Sequence, residues 1–107
     1  MRTNKAGVAT INSYASHPCL LKNLNVVFYP RAGFTVDRHT HPGVETGYIL
    51  QGEADFMVEG QPDKRLKAGD HFNIAGLPHS VRAGPATKVV VTYVVDKTKP
   101  LASPAPR

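Results

Sequence analysis

Cysteine is nearly missing from this chain: Cys19 stands alone. One thiol excludes an intrachain disulfide and a CxxC zinc site. Cys19 reads instead as a small apolar residue, and its solitude suits a reducing compartment. No apolar run reaches the roughly 18 residues of a membrane-spanning helix. The N-terminus, MRTNKAGVATINSY, has early positive charge but lacks the apolar stretch of a secretory signal. A cytoplasmic location is therefore expected, with no membrane partner. Helical periodicity is also absent, since no segment repeats its apolar residues at an amphipathic spacing. The formal charge of +5 is not gathered into a nucleic-acid footprint. Its one cluster, Lys64, Arg65 and Lys67, lies between Asp63 and Asp70. No aromatic residues interleave with it to stack bases, so a solvated hairpin is expected and nucleic acid is not.

What is present is punctuation. Nine prolines and nine glycines cut 107 residues into short pieces, within a length that suits one domain. The pieces read as strands. LNVVFY, residues 24–29, is β-branched and aromatic. Residues 33–41 should be extended, with Phe34 and Val36 on one face and His39 and His41 on the other. Both sets can point inward only if a bulge falls near Asp37. Residues 45–51 form another extended run. Ala54, Phe56 and Val58 then alternate with acidic residues, as a half-buried strand does. KVVVTYVVD, residues 88–96, is apolar on both faces, which points to a partner subunit covering one of them in a homodimer. The expected organisation is an arm over residues 1–20, a β-domain over 21–96 and a tail or strap over 97–107. Six to eight strands imply an all-β sandwich or small barrel.

The segment GFTVDRHTHPGVETGYILQG, residues 33–52, carries the chemistry. His39 and His41 are two apart and share one face of a strand. Pro42 and Gly43 bend the chain and bring Glu45 beside them. Two imidazoles and a carboxylate suit iron, manganese, nickel, cobalt or zinc as divalent ions. The bland alternative is a pair of solvated histidines beside a turn. His79, in AGLPHS, is a fourth candidate from a distant turn. His71 and His17 are expected in solvent, and Asp70 on the backbone amides of its own turn. Tyr29, Tyr48 and Tyr93 are expected in packing roles. Ile49, Phe56 and Val81 share the inward parity and are the expected apolar lining of a substrate pocket.

The spacing of Gly33, His39, His41, Glu45 and Gly52 resembles the first motif of the cupin superfamily: G, five residues, HxH, three residues, E, six residues, G. Gly69-Asp70, Gly76 and His79 resemble its second motif. Ile74 stands where that motif has proline, and the span to His79 is one residue short. The resemblance covers residues 24–96 and implies a cupin-like antiparallel β-barrel, a double-stranded β-helix or jelly roll, often dimeric. It implies one divalent transition metal on His39, His41, Glu45 and His79, with two coordination positions open. The activity it implies is metal-dependent chemistry on a small organic molecule. Oxidoreductase chemistry of the dioxygenase type is favoured slightly over an isomerase or lyase. A non-catalytic module that binds a sugar, an acid or a metal is the rival.

Overall fold

The computed structural model describes residues 2–3, 9–10 and 20–107. The expected arm over 1–20, with His17 and Cys19, lies outside them apart from Leu20 and one short ladder. That ladder joins β1 (Arg2–Thr3) to β2 (Ala9–Thr10). The remaining strands are β3 (Leu21–Phe28), β4 (Thr35–Thr40), β5 (Gly43–Gln51), β6 (Glu53–Val58), β7 (Lys64–Lys67), β8 (His71–Ala75), β9 (His79–Ala83), β10 (Lys88–Asp96) and β11 (Ser103–Pro104). No helix among the described residues is long and apolar enough to cross a membrane.

The strands form two main sheets, in the orders β3-β10-β5-β8 and β11-β4-β9-β6-β7. Among the described residues no ladder joins one sheet to the other. The expectation of a β-barrel is therefore corrected: the molecule is an open two-sheet cupin-like fold. Its edges show why closure fails. Strand β7 carries Lys64, Arg65 and Lys67, and charges of this kind discourage further pairing. Strand β11 ends on Pro104, which has no amide to donate.

Alternation packs the space between the sheets. Val89, Val91, Tyr93 and Val95 of β10 point inward and are buried, Val95 completely. They meet Ile49, Ala54, Phe56 and Ile74 in one core. The Phe56 and Phe72 rings lie 4.6 Å apart within it. The outward residues of β10 are less protected, and Val94 is 40% exposed. Arg65 reaches both carboxylate oxygens of Asp55, at 2.8 and 3.1 Å, so the basic hairpin is partly neutralised by its neighbour strand.

Two local features position the site. The β4–β9 ladder shifts register between Val36 and His39, which is the bulge expected near Asp37. Strands β4 and β5 are not a hairpin, since they belong to opposite sheets. Pro42 and Gly43 therefore carry the chain across the sandwich. Gly43 pairs with Val95, and a β-carbon there would overlap the Val94 carbonyl oxygen. Gly43→Ala should destabilise the fold by about 1–3 kcal/mol through this backbone overlap. Urea unfolding of the variant checks it; an unchanged midpoint would show that the crossing has slack.

Candidate metal centre

His39 lies near the end of β4, directly after the bulge, and pairs across the ladder with His79, the first residue of β9. His41 occupies the crossing itself. Glu45 arrives from the opposite sheet, two residues into β5. His41, Glu45 and His79 are all buried, and His79 is 1% exposed.

Their reacting atoms converge. His39 Nε2 is 3.1 Å from His41 Nε2. Glu45 Oε1 is 3.1 Å from His41 Nε2 and 3.0 Å from His79 Nε2. The other nitrogen of each ring faces a backbone carbonyl. His39 Nδ1 donates to Asp37 at 2.5 Å, His41 Nδ1 to Leu101 at 2.8 Å and His79 Nδ1 to Leu77 at 2.8 Å. A carbonyl only accepts, so each Nδ1 holds the hydrogen and each neutral ring turns a lone pair on Nε2 toward the others. Three lone pairs and a carboxylate at this range repel unless a positive charge sits among them. Neighbouring ligands held about 2.1 Å from one ion at right angles would lie about 3.0 Å apart. The donor set and its spacing therefore fit a divalent transition metal ion.

Without a metal, a proton takes that role. Burial opposes a charge on His41, but the Glu45 carboxylate and the Leu101 carbonyl outweigh it and hold the imidazole above its ordinary 6.5. Burial lowers His39 below that value. Burial also favours neutral Glu45, yet in this proton-loaded state hydrogen bonds from Nε2 of His41 and His79 hold its carboxyl at about 2. Burial pushes the Tyr93 phenol well above its ordinary value, with help from the Glu45 charge.

The shortened second motif still delivers His79. Gly76 takes the left-handed conformation, φ +74°, and the Glu59 amide holds the Pro78 carbonyl at 2.9 Å. Within the turn from Ala75 to Pro78 the Leu77 carbonyl orients the His79 ring.

A strap completes the centre. Leu101, which fixes His41, is 60 residues away in sequence. Ser103 and Pro104 pair with Thr40 and His39, and the Ala105 amide donates to the Arg38 carbonyl at 3.1 Å. The Arg38 guanidinium bonds the Ala105 carbonyl and, at 2.8 Å, the Glu59 carboxylate. A cavity of about 640 Å³ opens onto the four donors. Val81 is among its lining residues, whereas Ile49 and Phe56 pack in the core away from it. Sequence parity missed Val89, Val91, Tyr93 and Leu101, which do line it. The first three could have been found from the inward alternation of β10; nothing in the sequence marks Leu101. His71 is exposed beside Tyr48, at a ring separation of 5.7 Å, and Asp70 accepts from the Lys67 amide at 2.8 Å.

Deleting residues 101–107 should weaken metal binding by about 10- to 100-fold, because His41 loses the acceptor that orients it. Competition titration checks this, and unaltered affinity would remove the strap from the account. Affinity should also fall with acidity. Protons compete first at His41, from above pH 6.5, and the loss should approach about tenfold per pH unit below its raised value. Titrations between pH 8 and 5 read this slope.

Residues 25–95 match the Cupin domain family. A stretch of 57 residues is 47% identical to dimethylsulfoniopropionate lyase DddQ of Ruegeria pomeroyi, covering 52% of this chain and 28% of that protein. The crystal structure of that lyase superposes with a TM-score of 0.66 at 31% identity, over 78% of this chain and 43% of the other. A Klebsiella pneumoniae protein with a double-stranded β-helix domain gives 0.65 at 26% identity, over 79% and 76% of the two chains. This chain thus spans less than half of the lyase it matches. That relative is a lyase, so the expectation of an oxidoreductase of the dioxygenase type is corrected. The chain belongs to the cupin family, as a metal-binding member related to the lyase DddQ.

Proposed function

We propose that this protein is a metal-dependent enzyme of the lyase type, acting on a small organic acid or carbonyl compound. His39, His41, Glu45 and His79 hold one divalent transition metal ion in this reading. The observation that carries it is the meeting of three oriented imidazoles and a carboxylate at the head of an apolar cavity. The lyase relative supports the reaction class. A bound ion supplies Lewis acidity to a substrate oxygen. The chain supplies the rest. Three backbone carbonyls keep the imidazoles aimed, and the apolar walls exclude water. Tyr93 lies beside His41, ring centroids 4.8 Å apart, and its phenol stays protonated as a hydrogen-bond donor.

The test is elimination by metal-loaded protein from dimethylsulfoniopropionate and other β-substituted acids, followed as release of the unsaturated acid. Turnover should disappear with chelator and in His41→Ala, while circular dichroism stays unchanged. Tight binding of these acids with no conversion would instead make the protein a binding module.

The homodimer is part of the same proposal. Val27, Val90 and Tyr48 lie side by side across three strands on the outer face of the four-stranded sheet, and Val44 and Val94 form a second apolar pair beyond a polar row of Thr46, Thr92 and Asn25. Tyr48 is 55% exposed there. An apolar sheet face of this kind suits a second copy. Light scattering should report a dimer for the native chain and a monomer for Tyr48→Glu; a monomeric native chain would overturn the pairing.

A further inference from the structure

The cavity has a chemical character that the four donors do not explain. Away from them its wall is built from Val81 of one sheet and Val89 and Val91 of the other, with Leu101 from the strap. Phe28 and Phe34 stand at the mouth, 42% and 54% exposed. The volume of about 640 Å³ lies inside the range that encloses a whole drug-sized ligand.

Polar partners for such a ligand are few. Arg38 also lines the cavity, but its guanidinium is committed to Glu59 and to the Ala105 carbonyl. The Asp37 carbonyl holds His39. Beyond the four donors a sugar would find only the Tyr93 and Ser103 hydroxyls and the Asp37 carboxylate, too few for its hydroxyls, and a second carboxylate would find no uncommitted cation among the lining residues. At the head the charges differ. A divalent ion beside the single carboxylate of Glu45 leaves a net positive centre, which favours an anionic or enolisable oxygen group.

We propose that the substrate pairs such an oxygen head with an uncharged, apolar body that fills the cavity: an acid or carbonyl compound with a hydrocarbon or aromatic chain. The proposal rests on the metal reading above for its head and on the cavity wall alone for its body. It excludes sugars and compact diacids, and it ranks cationic bodies, dimethylsulfoniopropionate among them, below neutral ones, because the wall beyond Asp37 at the rim and the committed Glu45 offers no carboxylate to a buried cation.

Cobalt-loaded full-length protein is titrated with hydroxamates that share one chelating head, followed by the visible spectrum of the metal. The heads carry a methyl group, a heptyl chain, a chain of equal length ending in trimethylammonium, or a polyol. The heptyl compound should bind at least tenfold tighter than the methyl compound, as burial of added methylenes requires. The cationic and polyol compounds should gain threefold or less. Phe34→Ala, at an exposed position, should weaken the heptyl compound several-fold and leave the methyl compound within twofold. Equal affinities across the series, or preference for the cation or polyol, would overturn the proposal. A protein that takes up no cobalt would fail the metal reading separately. The body is then read on metal-free protein, from methyl signals of Val89 and Val91 in the presence of octanoate or acetate. Shifts with octanoate alone support the apolar body, and equal or absent shifts overturn it.

Discussion

Everything in this molecule turns on unshared electron pairs brought too close together. Three imidazoles have their Nδ1 hydrogens tied to backbone carbonyls, so their Nε2 lone pairs and the Glu45 carboxylate face one another at about 3 Å. Such a set is costly when empty of positive charge. It can be relieved by a proton shared between His41 and Glu45, or by a metal ion bound to all four. The fold holds the donors in place for either occupant, and so makes proton and metal competitors for one position.

The open architecture serves that arrangement. One sheet brings His39 and His79 together as ladder partners, and the other brings Glu45. The chain crosses between them at Pro42-Gly43, with His41 on the crossing. Because Gly43 lies against the backbone of β10, the crossing is packed and Glu45 is delivered to a fixed place. The strap then closes one side, orienting His41 through Leu101 and anchoring itself on Arg38. Unpaired sheet edges are tolerated because charge on β7 and proline on β11 blunt them.

Much of this could be read from the residues. The bulge near Asp37 followed from parity, because Phe34, Val36, His39 and His41 cannot all point inward from a regular strand. The grouping of His39, His41 and Glu45 was expected from strand period and spacing, whereas His79 as the fourth donor came from the cupin resemblance. The barrel did not hold, because hydrophobic alternation reports which face is buried and says nothing about whether edges meet. Ile49 and Phe56 failed as cavity lining for a related reason. Parity places a residue inside the sandwich, but not at one end of it. Leu101 was invisible because a backbone carbonyl serves His41, and a carbonyl leaves no trace in residue type. The oxygenase preference came from what the ligand set can support, whereas the relative at 47% identity is a lyase.

The most direct measurement is the metal content of protein purified without an affinity tag, by elemental analysis after reconstitution. The account predicts about one equivalent of a single transition metal, lost together with the proton competition when His79 is replaced by alanine. Less than about a tenth of an equivalent of any such metal, in protein whose fold is intact, would contradict it.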